Sequence, residues 1–251
     1  MLLSRLAPVL TLLGALLAWE AMCVVFAVPS FVLPRPSQII TAAQEVPLGT
    51  WLENIAATLQ IVLAGFCISF VIAIPLAMVL VNSRQLSNTV VPLLVVIQST
   101  PIVAIAPILV VTLGAGVSPR VVITCLITFF PLVISTATGL RSAPAELIEL
   151  SESLRAPRFR QFTQIRLPYA VPHILGAAKV AVTLAVIGAV VAEFVAADKG
   201  LGYMIVNYTA VFKLGRAFCA LLILLCISLT LYQLVVLVER TFFSWSLPSR
   251  N

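Results

Sequence analysis

This chain is short of almost everything that polar chemistry uses. It has one histidine, His173, and only 10% of its 251 residues are charged. A single histidine excludes a metal site built from several imidazoles. The five cysteines, Cys23, Cys67, Cys125, Cys219 and Cys226, all lie inside apolar runs with no C-x-x-C pair. They read as small apolar side chains rather than as a redox or metal framework. No G-x-x-x-x-G-K-[ST] phosphate loop occurs, so any nucleotide hydrolysis belongs to another chain. No H-E-x-x-H or G-x-S-x-G motif occurs either, and His173 has no partners for a triad. The catalytic set and the metal set are therefore both expected to be empty.

What is abundant is apolar sequence: 61% of the residues are hydrophobic and the mean hydropathy is +1.15. Several runs approach or exceed the ~20 residues that cross a bilayer core. A soluble domain would interrupt such runs with polar faces. The chain reads as one all-α transmembrane domain over residues 1–251, with six spans near 6–28, 55–81, 89–113, 119–140, 170–196 and 215–238. The N-terminal run follows Arg5 and is read as an uncleaved span, since no clear small-x-small cleavage site follows it. The third span holds Pro92, Pro101 and Pro107, so it is expected to be kinked and packed inside the bundle.

The formal charge of +6 is a statement about topology and lipid, not nucleic acid. With the N-terminus inside, the inner segments hold nine cations: Arg5, Arg84, Arg141, Arg155, Arg158, Arg160, Arg166, Arg240 and Arg250. The outer segments hold five: Arg35, Arg120, Lys199, Lys213 and Arg216. The positive-inside rule thus puts both termini and the 141–169 loop in the cytoplasm.

That loop contains the most polar stretch, ELIELSESLRAPRFRQFTQIRLP at 146–168, with three Glu and four Arg. Pro144 suits a helix's first turn and Ser142 is placed to cap it. Leu147, Leu150 and Leu154 fall within about 60° on a helical wheel, apart from Glu146, Glu149 and Glu152. Pro157 is expected to end this helix near Arg155. A second short helix then runs through Phe159, Phe162 and Ile165, before Leu167-Pro168 leads into the fifth span. On physical grounds two readings stand: a solvated loop at anionic headgroups, or an amphipathic element docked in a partner's groove.

Inside the spans, ionisable groups default to functional candidates. Lys179 and Glu193 share the fifth span about 21 Å apart along a helix, with Thr183 between them on nearly the same face. They read as a polar stripe on the substrate pathway, against snorkelling for Lys179 and plain hydrogen bonding near GLGYMI for Glu193. Gln98, Ser99 and Thr100 precede Pro101, where polar side chains line a pathway or repair a broken helix; the pathway is the expectation. Glu20, beside Trp19, reads as an interfacial anchor. The glycines at 200–202 read as a turn. An ion-gradient-driven secondary transporter is an alternative, but no inverted repeat is visible. A membrane-embedded enzyme lacks any catalytic constellation.

The charged stretch resembles the EAA loop of ABC importer permeases: E-A-A, three residues, Gly, nine residues, I-x-L-P. Glu149, Ile165, Leu167 and Pro168 hold the matching positions, while Leu150 and Ser151 replace the alanines and Arg155 the glycine. The family's glycine makes a tight turn, which Pro157 is expected to take over. VPSFVLPRPSQI (28–39), QSTPIVAIAPILVVTLGAG (98–116) and VVAEFVAADKGLGYMI (190–205) are similar to stretches of the permeases that import nitrate, aliphatic sulfonates, taurine and thiamine or riboflavin precursors. The resemblance spans about residues 20–240 and sits nearest the precursor importers.

The resemblance implies a six-helix type I importer permease in the bacterial inner membrane. It implies a second permease copy, two cytoplasmic ATPase subunits and a periplasmic binding protein as partners, besides membrane lipid. ATP and Mg would sit on the ATPase, with no cofactor on this chain. Glu149, Leu150, Ser151, Leu154, Arg155, Arg158 and Phe159 would form the coupling surface for the ATPase.

Overall fold

Long apolar runs make long helices, because backbone groups in lipid must be satisfied internally. The computed structural model describes residues 2–246, apart from the side chains of residues 2–6, 8 and 9. Arg250 and the Arg5 side chain, both counted above as inner cations, lie outside the described residues. The chain runs through α1 (Leu2–Val25), α2 (Pro36–Gln44), α3 (Leu48–Asn82), α4 (Arg84–Ser99), α5 (Ile102–Leu113) and α6 (Val117–Arg141). It continues through α7 (Ala145–Ser153), α8 (Arg158–Gln161), α9 (Leu167–Ala196), α10 (Leu201–Ala210) and α11 (Leu214–Phe242). A π-helical turn, Phe162–Arg166, fuses α8 to α9. No strand occurs among the described residues.

Among the described residues, four helices are long and apolar enough to cross a bilayer, or five if α4 and α5 form one span. The fully described part of α1, Leu10–Val25, is apolar as well.

The centre is built by α3, α6 and α9. Membrane helices gain little from hydrophobicity against one another, so close backbone approach and interhelical hydrogen bonds must hold them. The sequence supplies small residues for this. Ala181, Ala185, Ala189 and Ala192 form a fully buried row on α9. Thr124 of α6 is fully buried between two glycines, Gly65 of α3 and Gly188 of α9. A Cβ on Gly188 would lie 2.9 Å from the Thr124 Cα, so the helices touch there at backbone level. One turn on, the Ser69 hydroxyl of α3 lies 2.5 Å from the Thr128 hydroxyl of α6.

The Pro-rich third span does not pack inside this bundle. Thr100 is extended, with ψ 127°, as the residue before a proline prefers. The helix axis turns by 93° between α4 and α5. Only Ser87 and Leu94 on α4 and Ala106 on α5 are buried. Leu93, Val96, Val103, Ile108 and Val111 are exposed, Val111 at 85%. The small-residue core of α3, α6 and α9 is already closed, which leaves the broken pair on its edge.

α1 is joined to the rest near its end. Trp19 packs against Phe218 of α11, ring centroids 5.9 Å apart and the planes tilted by 53°. Glu20 accepts hydrogen bonds from the Ser37 hydroxyl (2.7 Å) and the Ser37 N–H (3.1 Å), so it holds the start of α2. Leu10, Leu12, Leu13 and Leu17 stay exposed.

Candidate functional site

The 141–169 stretch folds as a bent, outward-facing shelf. Ser142 does not cap α7: its hydroxyl returns to the Gly139 carbonyl at 2.7 Å, at the end of α6. The N-cap of α7 is Pro144, without a side-chain cap. The helix stops at Ser153, with Leu154 as its cap. The Arg155 N–H then bonds Glu152 O and the Ala156 N–H bonds Ser151 O, both at 2.9 Å. This pair of bonds is a Schellman closure, which requires a left-handed residue at Arg155. Arg155 has φ +52°. The turn therefore stays at the family's glycine position and is made by an arginine; Pro157 follows it as the N-cap of α8.

The second half is not a separate helix. α8, the π turn and α9 run on as one helix, Arg158–Ala196, of 39 residues. Pro168 offers no N–H, and the widened turn ahead of it takes up the register: the Leu167 N–H reaches Phe162 O. The two arms of the shelf are tied by the Gln161 amide, which donates to the buried Ser151 hydroxyl at 2.8 Å. Ser151 in turn donates to Ile148 O at 2.8 Å.

The shelf leaves its apolar residues uncovered. Leu150 is 56% exposed, Leu154 73% and Phe159 77%. Glu149, Arg155 and Arg158 are exposed beside them. Leu147, Leu150, Leu154, Arg155, Arg160 and Ile165 are among the residues lining a cavity of about 360 Å³ between the arms. None of the stretch's four arginines forms an ion pair among the described residues.

The intramembrane candidates do not form one stripe. The Lys179 ammonium lies 2.5 Å from a carboxylate oxygen of Glu239, on α11. Glu239 is 5% exposed. Sequence reasoning missed Glu239, because the sixth span was ended one residue before it. Thr183 bonds its own helix, donating to Val180 O at 2.7 Å. Glu193 is 2% exposed and accepts from the Thr58 hydroxyl at 2.8 Å and the Gly202 N–H at 2.7 Å. Thr58 also accepts from the Leu201 N–H at 2.8 Å, and the Asn54 side-chain oxygen accepts from the Gly200 N–H at 2.7 Å. Asn54 and Thr58 were also missed; their i, i+4 spacing at the head of an apolar run was the available signal.

Just outside this cluster, Lys199 pairs with Glu53 at 2.5 Å, and the Glu53 hydrogen bond holds its ammonium above the usual lysine range. Arg120 lies 3.6 Å from Asp198.

Gln98, Ser99 and Thr100 are exposed at the α4–α5 break. The Ser99 and Thr100 hydroxyls bond back to Val95 O (2.8 Å) and Val96 O (3.0 Å), which repairs the helix end. Gln98 is on the same exposed edge, and its amide has no hydrogen-bond partner among the described residues.

Comparison with known proteins matches the shape and the sequence. Residues 65–244 match the family described as binding-protein-dependent transport system inner membrane component. A probable ABC transporter permease protein of Haemophilus influenzae is 34% identical, over 96% of this chain and 98% of its own length. The riboflavin transport system permease protein RibX of Chloroflexus aurantiacus is 36% identical, over 94% of this chain and 88% of its own. The formylaminopyrimidine transport permease protein ThiX of Halalkalibacterium halodurans is 30% identical over 96% of each chain. In fold, a chain of the inward-facing MetNI methionine ABC transporter superposes with a TM-score of 0.63 at 20% identity, covering 76% of this chain and 97% of its own. The chain belongs to the inner membrane components of binding-protein-dependent ABC importers: it is a permease, and a transport component rather than an enzyme.

Proposed function

We propose that this permease works as a pair of identical copies in the bacterial inner membrane, with both termini inside. Two cytoplasmic ATPases bind the α7–α8 shelf and carry ATP and Mg. A periplasmic binding protein delivers the substrate. The observation that carries this reading is the shelf itself. Its leucines and Phe159 are exposed, yet its bend is locked by the Schellman bonds and the Gln161–Ser151 bond. An amphipathic element held rigid and uncovered is suited to a groove on a partner. Rigidity lets a displacement at the groove reach the spans instead of being absorbed in the loop. The coupling surface is Glu149, Leu150, Ser151, Leu154, Arg155, Arg158 and Phe159, with Ser151 acting from beneath through Gln161. The loop arginines beyond it meet anionic headgroups.

For the substrate, we assign the small heteroaromatic precursors of cofactors. The support is the sequence likeness to permeases named for riboflavin and formylaminopyrimidine transport. Gln98, at the α4–α5 break, is the pathway residue we retain. Lys179 and Glu193 are held by partners within the chain.

The test is affinity purification of the tagged permease in mild detergent. An ATPase should co-purify in stoichiometric amount and be lost when residues 146–166 are scrambled in a permease that still folds. A folded permease that comes alone under several gentle conditions overturns the reading and favours an ion-driven carrier.

A further inference from the structure

Glu193 is buried within an apolar span, where an acid is expensive unless its oxygens are used. Both are used, and the donors come from two other helices. Thr58 is on α3 and Gly202 lies in the first turn of α10. The start of a helix leaves its first N–H groups without partners. At α10 the N–H groups of Gly200, Leu201 and Gly202 are taken by Asn54, Thr58 and Glu193. All three acceptors belong to α3 or α9. The fit is tight: a Cβ on Gly202 would lie 2.8 Å from a Glu193 carboxylate oxygen, and one on Gly200 would overlap the same carboxylate. Gly200 also has φ +123°, which an L side chain rarely adopts. The pairs Lys199–Glu53 and Arg120–Asp198 brace the same short connection.

The other end of this arrangement is the coupling shelf. Arg158–Ala196 is one helix, so Phe159 on the shelf and Glu193 in the clamp sit on one rod, about 50 Å apart at 1.5 Å per residue. The beginning of α10 is thus tied by side chains to the far end of the helix whose near end is exposed for docking.

We infer that Glu193 is a positioning residue for transport: it fastens the short helix α10 to the rod that carries the coupling shelf, so the two ends of the permease respond together. A hydrogen-bonded clamp between rigid elements is either made or broken, which suits it to a two-state transition. The inference rests on the coupling reading of the shelf. It asks nothing of Glu193 as a substrate ligand.

The experiment is amide hydrogen exchange on the permease–ATPase complex, nucleotide-free and trapped with ATP and vanadate. In the wild type, peptides covering 145–166 and those covering 199–204 should both change protection on trapping. In Glu193→Ala, residues 199–204 should exchange roughly tenfold faster in both states and lose their response, while 145–166 still respond. Glu193→Gln keeps one acceptor for the Gly202 N–H and should fall between Ala and wild type. Thr58→Val keeps the Glu193 carboxylate and its bond to the Gly202 N–H, but removes the hydroxyl that donates to Glu193 and accepts from the Leu201 N–H, and should reproduce part of the loss. A merely structural carboxylate would lower the amount of folded complex and leave the response of 199–204 intact, which would overturn the inference. Silence of 145–166 in the wild type overturns the coupling reading and this inference with it. A response at 145–166 with 199–204 silent in the wild type overturns this inference alone, even if no variant folds.

Discussion

Replacing Lys179 with methionine should measurably destabilise this protein. Methionine keeps the length of the side chain and removes the charge. Glu239, 5% exposed, then loses the ammonium that sits 2.5 Å from its carboxylate. Removing one partner of a buried pair costs about 3–5 kcal/mol, because the charge left behind has no water to turn to. The lysine side chain is 21% exposed, which puts the loss near the lower end, about 3 kcal/mol. For a chain of this size that is a fall of roughly 6–12 °C in unfolding midpoint. The double variant Lys179→Met with Glu239→Leu should recover most of the loss, since apolar groups of similar volume replace a buried pair at little cost. The cycle should show a coupling of about 2–3 kcal/mol. Thermal unfolding of the purified permease, followed by loss of the monodisperse size-exclusion peak, measures all four proteins. If Lys179→Met melts within about a degree of wild type, the lysine is snorkelling to the headgroups and the pair is not formed. If the double variant melts as low as the sum of the singles, the two residues act independently.

Three other outcomes test other parts of the structure. Arg155→Gly relieves a left-handed residue at the Schellman turn, so it should stabilise the α7 end by about 1 kcal/mol; amide exchange at Arg155 and Ala156 should slow about fivefold, and unchanged rates would place the turn elsewhere. Glu149→Lys reverses a charge on the exposed shelf and should weaken ATPase binding roughly tenfold with membrane insertion intact; normal binding and coupling in a titrated pull-down would move the docking surface off α7. Gly188→Ala sets a Cβ against the Thr124 backbone and should destabilise by about 1–3 kcal/mol. Gly49→Ala, which meets nothing within 4 Å, is the control; equal melting of the two would refute the backbone-level contact of α6 and α9.

Much of the 141–169 shelf was legible in the sequence, because its features are local. A leucine stripe at helical spacing, acids on another side and a proline after Ala156 act within one or two turns. What was misread there was also local, but subtle. Ser142 had two carbonyl and amide environments within reach, and it took the end of α6. Arg155 was not credited with a left-handed backbone, since an arginine pays a penalty there that spacing alone does not reveal. The broken third span was visible in Pro101, whereas its position at the edge was not. Proline predicts a break; it does not say which neighbours will be close enough to cover it.

The sequence by itself determined that this is an all-helical membrane protein, and which loop carries its charge. Those conclusions follow from hydropathy and charge asymmetry, which are properties summed along the chain. Only the tertiary structure decided the partners of the buried charges. Lys179 meets Glu239, and Glu193 meets Thr58 and Gly202, across sequence separations that no periodicity encodes. In an apolar interior an ion or carboxylate must find its complement wherever the packing of small residues brings one within reach. That choice belongs to the whole bundle, and so does the single helix Arg158–Ala196 that joins the shelf to Glu193 and its partners.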